Sequence, residues 1–182
     1  MKRQVFVTFC IIGVLSLFAY LGVRTWNSVS FDRNCSGLLK RAGDANTVEM
    51  AKEQLKMAVN YCETHELTSG YTSVMYNTPD EEIGFWYNNL KSSLGELNAV
   101  VPNATQMEKS NVLMKLRETL LDTDDKGKTV VTCPKGISRY PYNLLYGIWG
   151  IFSLMMIGIP WILIRFTSSR YSASPLGRFR KR

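Results

Sequence analysis

Two long apolar runs lie near the two ends of the sequence and enclose a polar middle. Residues 5–23 and residues 143–164 form runs of 19 and 22 residues without a charged side chain. A helix rises about 1.5 Å per residue and needs about 20 apolar residues to cross a bilayer. The pattern therefore predicts two transmembrane helices.

The first run differs from a cleaved signal peptide. It exceeds the usual apolar region of about 7–15 residues, and no A-x-A-like cleavage site follows it. Phe9, before Cys10, is too bulky for a lipoprotein processing site. We expect an uncleaved membrane anchor.

Between the runs, helix-start patterns alternate with apolar residues at helical spacing. Asn46 and Thr105 each precede a Glu by three residues, as in a capping box, and Pro79 suits a first helical position. The first of four predicted helices is a short continuation of the first span. The predicted helices cover residues 30–41, 47–67, 79–101 and 105–122.

The helix predicted over residues 79–101 has the clearest apolar stripe. Its apolar residues are spaced by four and three in turn, a coiled-coil-like pattern that typically faces a core. We expect this seam to form the core of a helical bundle. The seam consists of Ile83, Tyr87, Leu90, Leu94, Leu97 and Val101.

Two short segments are rich in β-branched or aromatic residues, namely 71–76 and 129–133. This composition predicts two strands, which we expect to pair near the membrane. The predicted fold is mainly α. It is a two-pass transmembrane protein with an extracytoplasmic helical bundle and one short two-stranded β element.

The charge distribution predicts the topology. The protein has a net charge of +7, but residues 24–142 hold all 15 acidic residues and only 14 of the 22 basic ones. The basic excess lies beside the two spans, which argues against nucleic-acid binding and places both termini in the cytoplasm. The predicted regions are a cytoplasmic N-terminus (1–4), span 1 (5–23), an extracytoplasmic domain (24–142), span 2 (143–164) and a basic cytoplasmic tail (165–182).

Three of the four cysteines lie in the predicted outside domain, where a disulfide can persist. If the segment 30–41 rises away from the membrane, Cys62 and Cys133 are both membrane-proximal and form the bridge, leaving Cys35 free. If that segment folds over, Cys35 becomes the better partner for either cysteine. Asn34 and Asn103 each begin an N-x-S/T sequon, relevant only in a host that glycosylates exterior proteins.

Candidate chemistry is sparse. Residues 122–127 resemble the start of an EF-hand, but loop position 5 is Lys126 and loop position 12 is Cys133, where oxygen ligands are needed. His65 is the single histidine, and with Cys62 it falls short of a zinc site. We expect no enzyme activity, no metal and no cofactor.

Candidate contact residues lie in both regions. Span 2 contains Gly147, Gly150 and Gly158, which permit close helix packing in lipid, although glycine is common in spans. In the outside domain, Phe85 points away from the seam and Trp86 flanks it. Phe85 and Trp86 together are one candidate for a partner-contact surface. The alternative is that Phe85 is a single exposed apolar residue, which is common in proteins.

These features favour a non-catalytic accessory or assembly subunit of a larger membrane complex. The expected partners are the lipid bilayer and other membrane subunits, with homo-oligomers as an option, and we expect a bacterial inner membrane rather than a eukaryotic one. The alternative is a membrane sensor or signalling module. Only 18 residues follow the second run, which leaves no room there for an output domain. A channel is disfavoured because neither run contains an ionisable residue to mark a pathway.

Overall fold

The computed structural model describes the backbone of residues 2–173 and the side chains of residues 4–163 and 165. The last nine residues of the predicted basic tail therefore lie outside the described residues. The protein is mainly helical, with 73% helix and a two-stranded sheet. It divides into two compact units, one formed by residues 1–25 and 144–182 and the other by residues 26–143.

The helices and strands follow the chain in a simple order. Two of the helices, one running over Gln4–Gly43 and one over Asn143–Leu163, are long and apolar enough to cross a membrane. The first of these helical runs contains a π-helical turn, Asp32–Ser36. The elements are α1 (Lys2–Phe31), α2 (Gly37–Gly43), α3 (Val48–Thr64), α4 (Ile83–Ala99), α5 (Gln106–Leu120), β1 (Leu121–Thr123), β2 (Thr129–Val131) and α6 (Asn143–Ala173).

The unit of residues 26–143 has one hydrophobic core, to which the end of α1 and helices α2 to α5 all contribute. One close approach is set by Gly43, where a Cβ would lie 2.8 Å from two carbons of the Leu121 side chain. Glycine thus lets the end of α2 meet the start of β1. The largest fully buried apolar side chains of this unit are Leu39, Leu55, Ile83, Leu90, Leu97 and Leu120.

The helix starts follow local side-chain chemistry. Thr105 and Glu108 form a complete capping box at α5, each side chain bonding the other's backbone N–H. At α3 the cap is Thr47, whose hydroxyl accepts from the Met50 N–H, and not Asn46 as the sequence predicted. Pro79 begins a short 3₁₀ turn, and α4 itself begins only at Ile83.

The β element is present, but one predicted strand was wrong. β2 lies within the predicted segment 129–133 and pairs antiparallel with β1, with Leu121 opposite Val131. The segment 71–76 contributes only an isolated bridge between Tyr71 and Glu82. The pairing is local because the chain reverses around Asp124 and Gly127, whose N–H donates to the Asp124 carbonyl. A two-stranded hairpin forms more readily between neighbouring segments than between segments more than about 50 residues apart.

In the other unit, α1 and α6 pack antiparallel through small and polar residues. A Cβ at Gly13 would lie 2.8 Å from the Ile157 side chain, so glycine allows close contact of the helices. Ser16 and Ser153 form a hydroxyl–hydroxyl hydrogen bond of 2.8 Å, and the Trp149 indole N–H donates to Ser16 Oγ at 3.0 Å. Ser153 is fully buried.

Candidate functional site

A groove of about 500 Å³ lies in the unit of residues 26–143, between the start of α4 and the chain that follows β2. It is built from three separate segments of sequence, around residues 79–90, 119–122 and 130–135. One wall is the first two turns of α4, and the opposite wall is β2 with the residues after it. The fold, not a local motif, creates this groove.

The two aromatic residues predicted as a partner contact both line the groove but differ in exposure. Phe85 is 62% exposed and available to a partner. Trp86 is 7% exposed, and its indole N–H donates to the Thr132 carbonyl at 2.8 Å. Trp86 is therefore a core residue that ties α4 to the chain after β2. The Trp86 indole N–H is already bonded, so Trp86 is not a candidate for partner contact. Phe85 is the remaining candidate of the pair.

The polar rim of the groove is mainly acidic. Asp80 and Asp122 are exposed and Glu82 is half-buried, whereas Lys135 is the one basic residue among the described residues lining it. The floor and walls add apolar side chains from β2, including Val130 and Val131, which are exposed or half-buried. An apolar groove with three carboxylates suits a ligand that is both apolar and basic.

The seam predicted along α4 faces the core over most of its length. Ile83, Tyr87, Leu90 and Leu97 are buried, with exposed fractions of 0–7%. Leu94 is partly buried against the core. Val101 lies beyond Ala99, the last residue of α4, and is 55% exposed, so it is not part of the buried stripe.

Two of the three cysteines of the same unit, Cys35 and Cys62, lie in its core. The sulfur atoms of Cys35 and Cys62 are 3.8 Å apart and both residues are fully buried, because the π-helical turn carries Cys35 toward α3. Cys133 is half-buried and lines the groove. Burial, with a smaller effect of the Asp32 carboxylate, raises the pKa of the Cys133 thiol to about 11. The predicted Cys62–Cys133 bridge stays untested, and this geometry favours Cys35 as the partner of Cys62.

A polar contact crosses from α4 to α3 beside the core. The Tyr87 hydroxyl donates to Glu63 Oε1 at 2.6 Å, and Lys91 Nζ lies 3.7 Å from the same carboxylate oxygen. Burial, followed by the hydrogen bond to the Glu63 carboxylate, raises the pKa of Tyr87 to about 12. Lys91 and Glu63 are about half exposed, so their ion pair contributes little.

The other chemical candidates have structural roles. The Asp124 carboxylate accepts from the N–H groups of Lys126 and Lys128, which makes the EF-hand-like segment a hydrogen-bonded turn. The ring of His65 lies 4.2 Å from that of Tyr61 beside a cleft of about 410 Å³. Within residues 2–173, no group of three His, Cys, Asp or Glu side chains is arranged to hold a metal ion.

The three glycines singled out in the second apolar run have different surroundings. A Cβ at Gly150 would contact the Tyr20 ring at 3.3 Å, so Gly150 lies in the contact between α1 and α6. Nothing lies within 4 Å of a Cβ built at Gly147 or Gly158. Sequence reasoning missed Gly13 and the Ser16–Ser153 pair, because their role depends on the register of the two helices.

The protein was also compared with known proteins. No model of a protein family matches the chain, and neither the curated proteins nor the solved structures contain a match to it.

Proposed function

We propose that this protein is a non-catalytic accessory or assembly subunit of a larger membrane complex, and that Phe85 and its groove bind a partner subunit. The proposed topology has two spans, with both termini in the cytoplasm of a bacterial inner membrane and residues 24–142 outside. Partner binding uses the groove to seat an apolar and basic segment. A second contact surface is the face of α6 around Gly147 and Gly158.

The observation that carries the proposal is the exposure of Phe85 at the groove. A large aromatic side chain that is 62% exposed beside about 500 Å³ of open volume is a typical anchor point for a partner. The carboxylates of Asp80, Glu82 and Asp122 add charge selectivity, because they attract basic partners and repel acidic ones. The open backbone at Gly147 and Gly158 supports the second surface, since small residues let helices approach closely in lipid.

A sensor function is the second candidate, and the volume of the groove favours it. Ligand sites typically measure about 300–1,000 Å³, and this groove falls within that range. A sensor would bind a small cationic, apolar molecule in the same place. A subunit should copurify with another membrane protein, whereas a sensor should copurify with no other protein and bind a small ligand.

Photocrosslinking tests the subunit proposal. Benzoylphenylalanine is placed at position 85 of the full-length protein in membranes of its own host, and Met107, which is 74% exposed in α5, is the matched control position. We expect a covalent adduct with one membrane protein from position 85 but not from position 107. Phe85→Ala should also abolish co-migration with that protein on a native gel in mild detergent, whereas Met107→Ala should not.

Two outcomes would contradict the subunit proposal. The first is the same set of adducts from positions 85 and 107, which would indicate random collision. The second is a protein that migrates alone or as a homodimer and changes size only when a small cationic ligand is added. That second result would favour the sensor.

A further inference from the structure

The loop between α3 and α4 carries an exposed apolar tip. Val74, Met75 and Tyr76 are 53%, 82% and 76% exposed, and they are consecutive in sequence. No residue of the segment 71–78 is charged. Single exposed apolar residues are common, but an uncharged cluster of three at a loop tip indicates a surface that binds something.

Backbone hydrogen bonds close the base of this loop. The Ile83 N–H donates to the Gly70 carbonyl at 2.9 Å, and the Thr72 N–H donates to the Glu81 carbonyl at 3.0 Å. These bonds flank the Tyr71–Glu82 bridge. The exposed residues 74–76 therefore extend from a hydrogen-bonded base.

The base is tied to the first residue of α6. The Asn143 side-chain amide donates to the Thr72 carbonyl, and Asn143 begins the apolar helix Asn143–Leu163. Tyr140 lies against Gly70, which has a φ of +97°. A Cβ at position 70 would collide with the Tyr140 hydroxyl. The loop base is thus held at the point where the chain enters its second apolar helix.

Chain length then limits how far the tip lies from Thr72. Met75 is three residues beyond Thr72, and three steps of extended chain reach at most about 11 Å. The polar boundary layer of a bilayer is itself about 5–8 Å thick on each side. If Asn143 marks the membrane surface, the tip is within reach of the boundary layer.

We propose that Val74, Met75 and Tyr76 insert into the boundary between headgroups and acyl chains of the bilayer. This inference rests on the proposed membrane placement of α6. A lipid surface fits better than a protein partner because the tip is apolar and uncharged and ends in a tyrosine typical of membrane interfaces. The base of the loop is also bonded to the first residue of α6. The contact would fix the outside domain to the membrane at a site separate from the groove.

Fluorescence in vesicles tests the insertion. A dansyl-bearing amino acid is introduced at position 75 of the full-length protein, which is reconstituted in phosphatidylcholine vesicles with or without brominated acyl chains. Position 107 is the exposed control, matched in residue type and exposure, and position 152, which is 58% exposed on α6, is the control within the apolar helix. We expect blue-shifted emission and at least threefold stronger bromine quenching at position 75 than at position 107.

Each alternative result has a distinct meaning. In one result, bromine quenching is strong at position 152 but no stronger at position 75 than at position 107. This result would overturn the loop insertion and leave the membrane placement intact. A blue shift at position 75 without bromine quenching would show that protein covers the tip, and would also overturn the inference. If position 152 is not quenched, the membrane placement fails and the loop insertion fails with it.

Discussion

The adjacent thiols of Cys35 and Cys62 predict a disulfide in the protein purified from its native compartment. Their sulfur atoms are 3.8 Å apart, close enough for a bond after a small shift of either side chain. The two residues are 27 positions apart. In the chain-entropy model, closing a loop of this length stabilises the folded protein by about 3.6 kcal/mol at 25 °C.

Urea unfolding of the full-length protein in mild detergent, followed by tryptophan fluorescence, measures the effect. Reduction of the wild type should lower the free energy of unfolding by about 2–4 kcal/mol. The double variant Cys35→Ala/Cys62→Ala should show no response to reductant, because it has no bond to break. Cys133→Ala is the matched control, and it should keep the full response of the wild type.

Peptide mapping under non-reducing conditions decides the pairing directly. We expect one linked peptide pair that contains Cys35 and Cys62. A link between Cys62 and Cys133, or three reduced thiols in protein prepared without reductant, would refute this reasoning. Both thiols are fully buried, so oxidation should occur before folding is complete, and folded, reduced protein should reoxidise slowly.

Three further predictions concern α4. Trp86→Phe should lower the free energy of unfolding by about 1–3 kcal/mol in urea titrations, because the Thr132 carbonyl loses its donor; no loss would show that this bond is unimportant. Leu90→Ala should cost about 2–5 kcal/mol, and Leu94→Ala clearly less, because Leu94 is only partly buried; equal losses would contradict the burial order. The protonated Tyr87 hydroxyl, which donates to Glu63, stabilises the folded protein fully below pH 10. This contribution is lost as the pH rises from 10 to about 12, the raised pKa of Tyr87. The melting temperature of Tyr87→Phe should therefore fall less over that pH range than that of the wild type, and an equal fall would refute the assignment.

Local signals in the sequence were sufficient to predict most of the helices. Thr105 and Glu108 form their capping box because both residues lie within one turn of the same helix. The alternating spacing along α4 predicted its buried face, since a helix presents such residues on one stripe. The error at Val101 arose at the helix end, where the stripe continues in sequence but the helix does not.

Features that depend on distant segments could not be predicted in the same way. The approach of Cys35 to Cys62 depends on the π-helical turn and on the direction of α2, neither of which has a sequence signature here. The strand β1 contains only Leu121, Asp122 and Thr123, too short a segment for an alternating pattern. The groove beside Phe85 exists because the segment after β2 returns to α4, where the Thr132 carbonyl accepts a hydrogen bond from the Trp86 indole N–H.

The side of the membrane on which each region lies is the central claim, and impermeant thiol labelling tests it most directly. Single cysteines are introduced at Ser92, which is exposed on α4, and at Ser172 in the basic tail, in a background that carries Cys10→Ser and Cys133→Ser. We predict that intact cells label position 92 and not position 172, and that permeabilised cells label both. Labelling of position 172 but not of position 92 in intact cells would contradict the account.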